Sequence, residues 1–288
     1  MKLISVSEMI AIEKQADASG LSYAEMMQNA GVGLAKIIHQ LGEENHWHTV
    51  TGLVGSGNNG GDTLVALTWL ASEGWWTRAY LVNRKLDDEL IKKYLEAGGE
   101  VKNFPDVEAL QVLLNESNVL LDGLLGTGIK LPLRQEAARV LHQTNLIIHE
   151  MNPPPFVVAV DCPSGVDCDS GNVADETIYA DLTICMAAIK RGLLKLPAYE
   201  FVGELDVVDI GLPNDLLDEI KIDVANADSV SALLPERTPA SHKGTFGTAF
   251  VVAGSTSYTG AALLAGTAAY RMMMPGLISQ CGDVPMCQ

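Results

Sequence analysis

Positive charge is what this chain has least of. Lysine and arginine number 19 against 36 aspartates and glutamates, a formal net charge of −17. So acidic a chain offers no electrostatic footprint to a phosphate backbone, and nucleic acid is excluded as the expected partner. Cysteine is sparse too. Cys162, Cys168, Cys185, Cys281 and Cys287 form no C-x-x-C pair and no cluster spaced with histidine. That argues against a zinc site or a disulfide framework and for a reducing compartment. The N-terminal residues lack the apolar core and small-residue cleavage site of a signal peptide, so a cytoplasmic protein is expected. The charge-free stretch from Gly244 to Tyr270 is broken by Gly254-Ser255-Thr256-Ser257-Tyr258-Thr259-Gly260. Neither half is long enough to cross about 30 Å of hydrocarbon, and no membrane span is expected. Repeats and low-complexity tracts are absent.

What is present is the composition of a folded enzyme. The 288 residues are 48% apolar and 19% charged, with 27 glycines, enough for two domains or one large α/β domain. Two capping boxes, Ser5-x-x-Glu8 and Ser22-x-x-Glu25, announce two helices. After the second, Tyr23, Met26, Met27, Ala30, Leu34, Ile37, Ile38 and Leu41 recur at three- and four-residue steps and predict one buried helix face. From residue 48, short apolar runs alternate with helical stretches: Thr49–Val54 then Thr63–Glu73, Arg78–Val82 then Asp87–Ala97, followed by Val119–Leu121, Phe156–Val160, Leu182–Cys185 and Leu205–Val208. Such alternation predicts β-α-β units around a mainly parallel sheet. Met151-Asn152-Pro153-Pro154-Pro155 is a helix breaker that delivers the chain into the Phe156 strand. Beyond Glu236, Arg237, Lys243 and Arg271 face Asp283 alone, a change of charge balance that marks a domain boundary, giving domains of 1–236 and 237–288.

Three polar loops sit where strands end. The first, Gly55-Ser56-Gly57-Asn58-Asn59-Gly60-Gly61-Asp62, matches G-x-G-x-x-G between a strand and a helix, where backbone N–H groups can approach a phosphate. A tight turn needing glycine is the plainer explanation of that pattern. A dinucleotide fingerprint would also place an acid at the end of the second strand, and here that strand ends in Val82-Asn83-Arg84-Lys85, suited at best to a 2′-phosphate. The second loop runs Asp122-Gly123-Leu124-Leu125-Gly126-Thr127-Gly128-Ile129-Lys130-Leu131-Pro132; its lysine stands in the wrong place for a P-loop. The third is Asp161-Cys162-Pro163-Ser164-Gly165, in which Asp161 could equally be a turn-capping residue. Ligands of open α/β sheets collect at the carboxyl ends of strands, so the three loops predict one cleft. Asn59, Asp122 and Ser164 form an oxygen-rich set suited to an alkali or alkaline-earth ion. The histidines, among them His46 and His48, read as surface residues.

With Ala180-Asp181-Leu182-Thr183 and Gly203-Glu204-Leu205-Asp206-Val207-Val208-Asp209-Ile210-Gly211, these loops resemble the NAD(P)H-hydrate epimerase family, the YjeF N-terminal domain, over about residues 1–215. The resemblance implies a Rossmann-like three-layer α/β fold and an enzyme that interconverts the R and S epimers of hydrated NADH and NADPH, assisted by one potassium ion per subunit. Carried over by residue, it puts the substrate on Asn58, Asn59, Gly60, Gly61 and Asp62, on Gly126, Thr127, Gly128, Ile129, Lys130, Leu131 and Pro132, and on Asp161. It puts potassium on Asn59, Asp122 and Ser164. Thr63 departs from the family pattern, which has a further glycine there, and is expected to tighten the helix start. A second resemblance, from Ser241-His242-Lys243-Gly244-Thr245-Phe246-Gly247 to Tyr258-Thr259-Gly260-Ala261-Ala262, is to the opening of the ribokinase-like ADP- or ATP-dependent hydrate dehydratase. Only about 50 residues of that domain are implied, so dehydratase activity is expected to be absent.

The implied substrate carries its hydroxyl on C6 of the nicotinamide ring, beside N1. Loss of the hydroxyl gives a planar iminium that water can attack from either face. Such a path needs a group that moves a proton and a negative charge near the developing cation, and Asp161 is the expected catalytic residue. Two other readings remain: a non-catalytic binding or scaffold module of the same fold, and an NADP-dependent oxidoreductase, for which the sequence offers no hydride-transfer machinery. Whether the subunit forms a homodimer is open. A lone strand and helix cannot bury their apolar faces. Limited proteolysis is therefore expected to cut within residues 240–288 well before it touches residues 1–215; strong resistance of that segment contradicts the reading.

Overall fold

The computed structural model describes residues 1–271 apart from 235, 237, 243, 244, 246, 248, 256 and 257, and apart from the side chains of 214 and 228. Met272–Gln288 and part of the Ser241–Gly247 motif lie outside the described residues. The chain divides into two compact units, Met1–Asn226 and Ala227–Gln288.

In the first unit the elements run β1 (Leu3–Ile4), α1 (Val6–Ala18), α2 (Tyr23–Asn45), β2 (Thr49–Val54), α3 (Asn58–Ser72), β3 (Trp76–Leu81), α4 (Glu89–Glu96), β4 (Glu100–Asn103), α5 (Val107–Asn115), β5 (Val119–Gly123), α6 (Gln135–Glu150), β6 (Phe156–Val160), β7 (Leu182–Met186), β8 (Ile189–Lys190), β9 (Glu204–Val208) and α7 (Asn214–Asp218). Both expected capping boxes form: Ser5 and Ser22 each accept from the backbone N–H of the glutamate three residues on, whose carboxylate accepts from the cap N–H. Met26, Ala30, Leu34 and Ile38 are buried as the spacing predicts, whereas Tyr23, at the first helical position of α2, is 45% exposed.

Seven strands form a sheet in the order β4-β3-β2-β5-β6-β7-β9, every neighbouring pair parallel. Side chains alternate across it. Val50, Val54, Ala79, Leu81, Leu121, Val158 and Val160 pack with α1 to α4, while Leu53, Tyr80, Leu120 and Val157 pack with α5 and α6. The period of two on buried strands thus yields the expected three-layer α/β architecture. The chain moves outward from β2 through β3 to β4, then returns to lay β5 on the other side of β2. The carboxyl ends of β2 and β5 therefore flank the switch point, where open sheets bind ligands. A two-stranded parallel pair, β1 with β8, lies apart from the main sheet.

The second unit contains α8 (Ala227–Leu233) and α9 (Gly260–Arg271), the latter carrying the helix-like run expected after the glycine-rich break. Among the described residues no helix is long and apolar enough to cross a membrane.

The approach of α3 to the sheet leaves no space for side chains at two glycines. A Cβ on Gly60 would lie 2.0 Å from the Gly55 carbonyl oxygen, and one on Gly123 would lie 1.8 Å from Thr63 Oγ1. Gly60→Ala and Gly123→Ala are each expected to destabilise the protein by at least about 1–3 kcal/mol in denaturant unfolding. Gly128→Ala, where a Cβ would meet nothing within 4 Å, serves as the near-neutral control.

Candidate functional site

The first glycine loop is shorter than the sequence pattern implies. Asn58 to Asp62, read as loop, form the opening turns of α3, because Gly57 takes the N-cap position with extended backbone. Gly57 has no side chain to cap the helix, so the N–H groups of the first turn are left for another acceptor, as an anion site requires. Thr63 Oγ1 bonds the Asn59 carbonyl at 2.8 Å, and the side chain is fully buried against the sheet. The bond runs back to the carbonyl one turn earlier in α3, on the side that packs against the sheet.

Arg84, at the end of β3, turns back onto this loop. Its guanidinium donates to the carbonyls of Gly55 (2.9 Å) and Gly57 (3.2 Å) and pairs with Asp88 at 2.8 Å. It therefore braces the glycine turn. Beside it lies a cavity of about 320 Å³ lined by Ser56, Asn83, Arg84, Lys85, Asp87 and Asp88.

The predicted ion ligands converge. Ser164 Oγ donates to Asp122 Oδ1 at 2.5 Å, and the Ser164 N–H donates to Asp122 Oδ2 at 2.8 Å. The Leu125 N–H reaches Ser164 Oγ at 2.8 Å, and Asn59 Nδ2 donates to the Leu125 carbonyl at 2.9 Å. Asn59 from the start of α3, Asp122 from the end of β5 and Ser164 from the loop after β6 are thus joined: Asn59 and Ser164 both donate to the Leu125 carbonyl, and Asp122 holds Ser164. Asp122 is 1% exposed. Burial pushes its carboxyl pKa up, and the hydrogen bonds from Ser164 and Leu124 pull it back. No cationic side chain contacts it among the described residues. A buried carboxylate with neutral donors alone, in an all-oxygen set, fits a hard monovalent cation; among the described residues no group of three or more His, Cys, Asp and Glu could hold a metal ion.

Asp161 closes the cleft at the end of β6. It is held at φ 64°, a left-handed conformation rare for a side chain outside glycine and asparagine. Its Oδ1 accepts the Met186 N–H at 2.9 Å and the Lys190 ammonium. Lys190, from the two-residue β8, is 1% exposed and also donates to the Met186 carbonyl at 3.1 Å. Burial alone would lower the Lys190 pKa; the charge of Asp161 more than offsets this, and the ammonium is held above its ordinary range. Asp161 itself is 14% exposed.

Two further acids join this pair. Asp62 is only 8% exposed, its carboxyl makes no hydrogen bond among the described residues, and its pKa is raised well above the ordinary value. Burial is the main cause, followed by the charges of Asp161 and then Glu13, with Lys190 and Arg84 acting in the opposite direction. Glu13, on α1, is raised by burial and by Asp161, against the pull of Lys190. Lys190 and Glu13 went unnoticed in the sequence, where nothing in their spacing ties them to Asp161. Of the second loop, Leu125, Gly126, Thr127, Ile129 and Leu131 are half-buried, while Gly128, Lys130 and Pro132 are exposed. His46 and His48 are exposed, as expected.

Residues 23–192 match the family model described as YjeF-related protein N-terminus. The NAD(P)H-hydrate epimerase of Rhodopirellula baltica is 36% identical over 202 residues, 68% of this chain and 79% of that protein. The bifunctional NAD(P)H-hydrate repair enzyme Nnr of Thermofilum pendens is 34% identical over 273 residues, 92% of this chain and 50% of that enzyme. This chain spans about half the length of the curated bifunctional relatives it matches. Among solved structures, yeast ynu0 superimposes with a TM-score of 0.63 at 19% identity over 80% of this chain and 97% of its own, a likeness of fold. With the motif loops gathered at one switch point and more than half of the sequence matched by the model, the chain belongs to the YjeF-related N-terminal domain family.

Proposed function

We infer that this chain interconverts the R and S epimers of hydrated NADH and NADPH. The observation that carries the reading is the chain of contacts that joins Asn59, Asp122 and Ser164, with Asn59 and Ser164 both on the Leu125 carbonyl and Ser164 held by Asp122, at the strand ends where the buried Asp161–Lys190 pair also lies. The epimerase named among the relatives supports it. The open N–H groups ahead of α3 suit the substrate's phosphates, with Lys130 on the opposite rim adding charge. Asn59, Asp122 and Ser164 would hold the potassium ion, which when bound supplies a fixed positive charge opposite the phosphates in an otherwise acidic protein. The Asp161 carboxylate faces the ring, where positive charge develops as the C6 hydroxyl departs, and stabilises the iminium. Residues 237–288 are read as the start of a second, ribokinase-like domain. Their inclusion in the match to the bifunctional relatives supports this.

The test is chromatographic. Incubated with an enriched R epimer of hydrated NADH, the protein is expected to speed the approach to epimeric equilibrium beyond the spontaneous rate. Potassium should raise the rate, and Asp122→Ala should abolish that response. Asp161→Ala is expected to lower the catalysed rate by about 100-fold or more. A folded protein that binds the hydrate without accelerating its epimerisation would favour the binding-module reading.

A further inference from the structure

We propose that the proton moved in this reaction belongs to Asp62, while Asp161, locked to Lys190, acts as the fixed negative charge. The proposal rests on the epimerase reading and divides between two carboxyls the work that the sequence assigned to Asp161 alone.

The geometry separates the two groups. Asp161 has an ammonium and a backbone N–H on Oδ1, so its carboxylate is balanced in place by a buried countercharge. Protonating it would leave Lys190 buried and unpaired, which is costly. Asp62 is the opposite case. Its carboxyl is nearly buried and receives no hydrogen bond among the described residues, and the charged groups facing it are Asp161, Glu13, Lys190 and Arg84. Both cations in that list are already engaged, Lys190 with Asp161 and Met186, Arg84 with Asp88 and the carbonyls of Gly55 and Gly57. Ionised, Asp62 would have no partner; protonated, it carries a proton that nothing in the protein accepts. Burial and the two neighbouring acids raise its pKa accordingly. One carboxylate held by a buried ammonium, beside a carboxyl with neither a cation nor a hydrogen bond of its own among the described residues, is the pattern of a charge stabiliser and an acid.

The step balances as follows. Asp62 gives its proton to the C6 hydroxyl oxygen as the C6–O bond breaks, its electron pair leaving with water. The N1 lone pair forms the C6=N1 bond, and the resulting iminium faces the Asp161 carboxylate. Water then adds to the other face, the π pair returns to N1, and the proton released by that water returns to Asp62. Nothing is oxidised or reduced, and only water is exchanged.

The test compares the wild type with Asp62→Asn, Asp161→Asn and Glu13→Gln in three readouts. The first is the infrared carbonyl stretch of a protonated carboxyl near neutral pH, expected in the wild type and lost in Asp62→Asn. The second is thermal unfolding against pH. Because the folded-state pKa of Asp62 lies above its unfolded value, ionising it penalises the fold. Wild-type stability due to this group is full below the unfolded pKa of about 4 and declines as pH rises toward the folded value. The melting temperature of Asp62→Asn should therefore match the wild type in acid and exceed it above that range. The third is the pH profile of epimerisation. The wild-type rate should fall as pH rises through the pKa of Asp62, and Asp62→Asn should lose that limb together with about 100-fold or more in kcat, with KM little changed.

Asp161→Asn should also be slow but should keep the alkaline limb. An Asp62→Asn enzyme that retains the wild-type rate and profile overturns the proposal, as does a limb that disappears in Glu13→Gln instead. No acceleration by the wild type overturns the epimerase reading itself, and the role of Asp62 falls with it.

Discussion

Close contact between the opening of α3 and the ends of β2 and β5 is the constraint on which the site depends. A side chain at Gly60 or Gly123 would collide with the Gly55 carbonyl or with Thr63, so the backbone there packs without an intervening layer. That approach lets Asn59 reach the Leu125 carbonyl and sets its amide beside Ser164 and Asp122. It also delivers Asp62, less than one helical turn further along, beneath the loop that carries Asp161. Arg84 reinforces the arrangement from the other side by holding the carbonyls of Gly55 and Gly57. An error of an ångström in how α3 sits would disperse the oxygen cluster and the acid cluster together.

The sheet order explains why the clusters meet. Because β5 crosses back over β2, the loops after β2, β5 and β6 come from adjacent strands, and their residues share one edge. The acids of this edge cannot all be charged. Asp122 is matched by neutral hydrogen bonds, Asp161 by Lys190, and Asp62 by nothing, which places three carboxyls of similar intrinsic strength in three electrostatic states. Burial does most of this sorting, since the raised groups, Asp62 and Asp122, are those with the least access to water.

Much of this was legible in the sequence because its signals are local. A capping box, a strand running into glycines, and apolar strands two residues in period each declare themselves within ten residues, and the strand ends named the cleft before any coordinates did. What was missed arrives from far along the chain. Lys190 is one lysine in Ala188-Ile189-Lys190-Arg191, and only the pairing of β8 with β1 and the turn after β7 bring it under Asp161. Glu13 lies on the first helix and looks like any solvated acid of an amphipathic pattern. The helix α6 could have been found: Ala137, Val140, Leu141, Thr144 and Ile147 are buried at three- and four-residue steps. β4 gave little warning, since Glu-Val-Lys-Asn at a sheet edge has neither alternation nor an apolar run. Asp161 was legible as a residue but not as a conformation, because a left-handed backbone at an aspartate is imposed by the Ile184 and Met186 contacts around it.

The same acidity that argues against a nucleic-acid partner also constrains what the cleft can stabilise. A net charge of −17 works against the phosphate-bearing substrate of the proposed function, so the phosphate end would have to be held by groups that carry no acid: helix N–H dipoles, Lys130 and the proposed cation. The reacting ring has the opposite requirement, because a hydroxyl leaving from carbon beside nitrogen builds positive charge there. The structure has this polarity. Its glycine loop presents dipoles with no acid among the first-turn residues Asn58 to Gly61, and its acids gather a turn deeper around Lys190. A hydride-transfer enzyme would need a second substrate and a partner for its carbonyl, and the residues named in this cleft include neither a histidine nor a tyrosine. An acidic floor beneath a dipole-lined rim instead suits a substrate that is anionic at one end and becomes cationic at the other only while it reacts.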